Sequence, residues 1–165
     1  MGFYSKELAD GTYCLTGYQG QDKHITFPDN ITVSILGDKL FKNHIEIESI
    51  DIPETVTQIG GWVFDGCTNL KKITLPLGLV DMWQYALTRM SIEEIEVPGS
   101  LHRVIPFTFN ECHQLKTVVL NEGTTKIDAW AFKNCENLET VYVHESIEIH
   151  DNAFEGCPNV QIVKK

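Results

Sequence analysis

Three stretches of the chain, "IGGWVFDGCTNLKKITLP" (59–76), "VIPFTFNECHQLKTVVLN" (104–121) and "IDAWAFKNCENLETVYVH" (127–144), align with one another without a gap. Looser copies are "LGDKLFKNHIEIESIDIP" (36–53), "MWQYALTRMSIEEIEVP" (82–98, one residue short) and a truncated "IHDNAFEGCPNVQIVKK" (149–165). An anchor position runs Phe41, Phe64, Leu87, Phe109, Phe132 and Phe154 at spacings of 22 or 23 residues. Self-similarity at that period is the mark of stacked supersecondary units, and no other feature limits the fold as strongly.

Each copy has the same internal order. Five residues before the anchor stands an apolar residue: Leu36, Ile59, Met82, Val104, Ile127 or Ile149. Three after it stands His44, Cys67, Met90, Cys112, Cys135 or Cys157. A segment such as "LKKITLP" follows, with Ile73 and Leu75 apolar and Lys72 and Thr74 polar. This period of two predicts a short strand with one buried face. Pro53, Pro76 and Pro98 follow such segments and, lacking an N–H, suit strand ends. The anchor stretch is too short for a full helix and predicts a helical or 3₁₀ turn. One strand and one turn cannot bury their own apolar side, so the copies must stack with their strands in a parallel sheet.

The pattern I-x-x-x-A-F-x-x-C-x-x-L-x-x-I-x-I-P, fullest in 127–143 and 59–76, resembles the BspA-type leucine-rich repeats. The lead-in "GTYCLTGYQGQDKHITFPDNIT" resembles the tyrosine-bearing hairpin and first strand that open such proteins. The expected fold is therefore an α/β repeat: a right-handed leucine-rich-repeat solenoid with one short parallel strand per repeat of about 23 residues and short helical or 3₁₀ turns. Residues 1–32 would form a β-hairpin cap and first strand, and residues 33–165 the repeats. The resemblance further implies a bacterial or protist surface or secreted protein that adheres to, or binds, host proteins. The chain departs from the L-x-x-L-x-L-x-x-N/C-x-L pattern of other leucine-rich repeats, lacking a fixed Asn or Cys after each strand, so their ligand habits do not carry over.

Composition narrows the partners. With 23 acidic against 13 basic residues the net charge is −10, which disfavours nucleic acid and anionic membranes. No apolar run is long enough to span a bilayer, so membrane insertion is not expected. The opening "MGFYSKELADG" lacks the apolar core of a signal peptide. A surface or secreted location would require a removed signal, and a complete chain would be cytoplasmic.

The cysteines read as structure. Methionine takes their repeat position in one copy, which points to an apolar environment rather than a reactive one. Short C-x₂₋₄-C spacings suited to zinc are absent. Cys112 precedes His113, but neighbours on a turn point apart, and a nucleophile needs its base within reach. No catalytic residue, metal ligand or cofactor site is expected.

Two surfaces could meet a partner. One is the outward sheet face, carrying Lys72, Glu94, Glu96, Thr117 and Tyr142, where Lys72 and Glu94 could form a weak cross-strand pair. The other is a row of aromatics two before the anchor: Trp62, Tyr85, Phe107 and Trp130. On a helical turn that position lies about 200° from the anchor and faces outward. Such a ridge is either a contact surface or a set of rings stacked on one another over the core.

The expected function is a non-catalytic binding or adhesion module for a protein or glycan, able to dimerise through an end or through the aromatic ridge. A structural spacer within a larger surface assembly is the alternative, followed by a hydrolase using the acidic sheet face. In every reading the anchors are core. Phe132→Ala should cost about 3–5 kcal/mol, and an unchanged melting temperature would reject the assignment.

Overall fold

The computed structural model describes residues 2–165, none of them helical. In chain order the strands are β1 (Gly2–Glu7), β2 (Tyr13–Gln19), β3 (His24–Ile25), β4 (Val33–Leu36), β5 (Ser49–Ile50), β6 (Gln58–Ile59) and β7 (Asp81–Met82). They continue as β8 (Glu94–Val97), β9 (Arg103–Val104), β10 (Thr117–Leu120), β11 (Lys126–Ile127), β12 (Thr140–Val143), β13 (Glu148–Ile149) and β14 (Gln161–Lys164). β1 and β2 pair antiparallel, and every other pairing is parallel. The result is a β-solenoid of about seven turns, resembling a leucine-rich-repeat solenoid.

The repeat carries two strand positions where one was expected. The first lies just before the anchor turn and forms the sheets β1-β2-β4-β6-β7 and β9-β11-β13. The second lies after the turn and forms β3-β5 and β8-β10-β12-β14. The first position was hidden in the sequence because its strands are mostly two residues long, too short to show an alternation. Their inward residues, Leu36, Ile59, Met82, Val104 and Ile127, are all buried.

The anchor stretch is not a helical or 3₁₀ turn. Residues two before and two after the anchor take a left-handed backbone, as at Trp62 (φ 56°) and Gly66 (φ 78°) or Trp130 (φ 61°) and Asn134 (φ 60°). Each reversal aims backbone groups at the neighbouring copy. The amides of Phe41, Phe64, Leu87, Phe109 and Phe132 donate to the carbonyls of Val63, Ala86, Thr108, Ala131 and Ala153 at 2.9–3.1 Å. A helix would spend those amides within its own segment, and the turns of the stack would lose this link. The position two after the anchor is Gly or Asn in four copies (Asn43, Gly66, Asn134, Gly156), the residues that tolerate positive φ most readily.

The anchors fill the core. Phe41, Phe64, Leu87, Phe109 and Phe132 are fully buried, and neighbouring rings stack at 5.6 Å (Phe41–Phe64), 4.8 Å (Phe109–Phe132) and 5.1 Å (Phe132–Phe154). On the N-terminal side Phe3, Tyr18 and Phe27 pack on Phe41 with centroids 5.5–6.2 Å away.

The four core thiols are free, and each is a hydrogen-bond donor. Cys67, Cys112, Cys135 and Cys157 Sγ donate to the carbonyls of Phe41, Leu87, Phe109 and Phe132, the anchors one copy earlier, at 2.9–3.1 Å. The position thus favours a small apolar side chain that also carries a weak donor. Burial pushes the Cys67 thiol from its ordinary 9.0 up to about 12, and Cys135, hydrogen-bonded among its neighbouring thiols and buried, also moves up. A thiol reagent should reach the half-buried Cys14 before Cys67, Cys112 and Cys135, which are fully buried, and labelling followed with and without denaturant measures the order. The folded chain keeps the Cys67 proton where the unfolded chain has lost it. Stability should accordingly be complete below pH 9 and fall as pH rises toward about 12, by roughly 1 kcal/mol per pH unit. Denaturant titrations of wild type and Cys67→Ala at pH 8 and 10 measure this slope, which should be shallower in the variant.

Candidate functional site

The turn side of the solenoid carries the aromatic row. Trp62 and Tyr85 stack at 5.0 Å and 7°, Tyr85 and Phe107 at 5.1 Å and 2°, and Phe107 and Trp130 at 5.7 Å and 11°. Their shared left-handed φ of 56–65° sends the four side chains outward in parallel, one copy apart. The outward direction expected from a helical turn is reached by a different backbone route. The ladder is closed at both ends. Lys39 and Lys42 Nζ lie 5.9 and 6.0 Å from the Trp62 ring, and Trp130 Nε1 donates to Glu155 Oε2 at 3.0 Å. Trp62, Tyr85 and Phe107 are half-buried, so the row presents mainly ring edges to solvent.

Beside the ladder lies a carboxylate that the repeat pattern did not single out. Asp65 is 1% exposed and accepts Nε (2.7 Å) and Nη2 (2.8 Å) of Arg89, with Lys42 Nζ at 3.4 Å on its other side. A buried charge needs such partners to offset lost hydration. Only an acid directly after the anchor, with bases at matching places one copy away, hinted at the cluster.

The second sheet face contains a break. Residues 71–75 run in the strand position but pair with neither β5 nor β8. The break precedes the copy that is one residue short, where Met90 and Ile92 stand two apart and Cys67 and Leu70 stand three apart. Along it lies a groove of about 370 Å³ lined by Lys72, Thr74, Leu75, Leu77, Glu94, Glu96, Pro98, Thr117 and Asn121 among others. Asn121 Nδ2 donates to Glu96 Oε1 at 2.7 Å, and Glu54 Oε2 accepts the Leu77 N–H at 3.0 Å. Leu77 is 75% exposed.

The expected Lys72–Glu94 pair is not formed: among the described residues the ion pairs include neither side chain, because no ladder holds their strands together. The groove unites Lys72, Glu94, Glu96 and Thr117. Tyr142 stands on β12, outside the groove lining, with Lys165 Nζ 4.3 Å from its ring. Cys112 is buried on the Leu87 carbonyl while His113 is exposed near Glu136, so no Cys/His couple exists. Among the described residues no group of three or more His, Cys, Asp or Glu could hold a metal ion.

Stacking on two faces should make an interior rung matter more than a terminal one. Phe107→Ala is expected to cost about 1–3 kcal/mol beyond its lost burial, against about 0.5–1.5 for Trp130→Ala. Urea titration of the two variants measures the difference, and an equal loss would show that the stacking contributes nothing beyond area.

No curated protein matches the chain. Among solved structures it is similar to the leucine-rich-repeat protein TpLRR of T. pallidum, with a TM-score of 0.89, 29% identity and coverage of 98% of this chain and 78% of that one. A leucine-rich-repeat protein of Bacteroides ovatus (TM-score 0.70, 21% identity) shares its fold over 98% of this chain and 52% of its own. The pneumococcal vaccine antigen PcpA (0.66, 16%) does so over 95% and 47%. The BspA type leucine rich repeat region matches residues 34–161 in six copies. With most of its length matched in this way, the chain belongs to the BspA-type leucine-rich repeat family.

Proposed function

We propose that the chain is a non-catalytic binding module and that the groove on the broken sheet face holds a protein partner. The observation that carries this reading is the groove itself, where side chains of three successive copies converge beside an exposed leucine. Partner surfaces place apolar anchors within a polar rim. Leu77 can act as the anchor here, with Lys72, Thr74, Glu94, Glu96 and Asn121 around it. Adhesion, and a place at the cell surface, accord with the family resemblance.

The hydrolase alternative is weakened by geometry. Glu94 and Glu96 project from one face of one strand, whereas a glycosidase needs its two carboxyl groups on opposite sides of the scissile bond. The spacer alternative draws support from the closed aromatic ladder, whose rings are occupied by one another.

Immobilised wild type, Leu77→Asp and Trp130→Ala proteins, exposed to host extracellular-matrix proteins, separate the readings. A groove site predicts at least tenfold weaker capture by Leu77→Asp and unchanged capture by Trp130→Ala. Loss confined to Trp130→Ala would move the site to the ridge, and no capture by wild type would favour the spacer.

A further inference from the structure

Some acidic side chains on this solenoid meet a base from an adjacent copy. Glu48 meets Lys23 at 2.8 Å, Glu148 meets Lys126 at 3.1 Å, and Asp128 meets Arg103 at 2.5 Å. Glu94 and Glu96, like most acids of the chain, have no base within 4.0 Å among the described residues, but they are the two acids in the groove lining. Both point to the same side of β8, about 7 Å apart along the strand, and both line the groove. Asn121 fixes one Glu96 oxygen and leaves the other open to the groove.

Resting on the groove reading above, we infer that the occupant is an extended peptide segment carrying one basic side chain, arginine by preference, next to an aliphatic residue. The planar guanidinium presents donors along more than one edge, so it can bridge two carboxylates at this separation, where an ammonium would sit as a point charge on one. The aliphatic neighbour packs on Leu77, which is 75% exposed. Leu77 is held in place for this contact because its N–H is tied to Glu54. The lining holds no aromatic ring on which a sugar could stack, and this favours peptide over glycan. Lys72 on the facing wall repels a second base, so the basic residue stands alone and Lys72 is left for a backbone carbonyl or an acidic neighbour. The net charge of −10 adds attraction at long range and speeds encounter with a basic segment.

The test is selection of displayed random heptapeptides on the immobilised full chain, followed by fluorescence polarisation with the enriched peptides. Enrichment of Arg or Lys beside Leu, Ile or Val is expected. Glu94→Gln with Glu96→Gln should weaken such peptides at least tenfold, and so should added salt. Trp130→Ala, and the charge control Glu136→Gln with Glu145→Gln, should leave binding unchanged. Enriched peptides that lack a base, resist the double Gln change and yet fail on Leu77→Asp would overturn the charge inference and leave the groove reading standing. Peptides indifferent to both changes, or no enrichment over a blank surface, would overturn both.

Discussion

The anchor amide of one copy donates to a carbonyl of the next, and this bond between turns organises the solenoid. It forms because left-handed residues flank the first five anchors and rotate the peptide groups out of local pairing. Once the backbones of successive copies are tied in this way, equivalent side chains must lie one above another. Phenylalanines then stack on phenylalanines, thiols reach the preceding anchor's carbonyl, and aromatics two before the anchor become a ladder. A left-handed non-glycine residue costs on the order of 1 kcal/mol, and each copy offsets that cost with bonds to both neighbours.

A stack of this kind has two sorts of surface. Where the columns are regular, polar and aromatic side chains satisfy one another between copies, as in the aromatic ladder and the Lys42–Asp65–Arg89 cluster. Where the period slips by a residue, that mutual satisfaction fails. Residues 71–75 lose their strand partners, the facing side chains do not pair, and a groove remains with its charges and a leucine turned outward. The proposed binding groove thus lies at the irregular copy, whereas the regular ones have used these contacts internally.

Much of this was legible in the chain. The anchors, the inward residues five before them and the cysteine position all showed as columns, and all but His44, Ile149 and Phe154 are buried. The turn was misread because Phe and Cys three apart suit a helical face equally well. Asn43, Gly66, Asn134 and Gly156 recurring two after the anchor were the overlooked sign of a left-handed backbone. Four of the nine residues expected at a partner surface, Lys72, Glu94, Glu96 and Thr117, line one groove, while Trp62, Tyr85, Phe107 and Trp130 lie apart on the turn side.

By itself the sequence determined the repeat, its period and which side chains share a column, because repetition along the chain becomes repetition in space once copies stack. Only the tertiary structure decided what the columns do. Whether an amide bonds within its turn or to the next copy, whether outward rings lie face to face, and whether Lys72 reaches Glu94 all depend on groups a full copy apart. Local periodicity carries no information about the fit between one copy and the next, and it is that fit which closed the aromatic ladder and opened the groove.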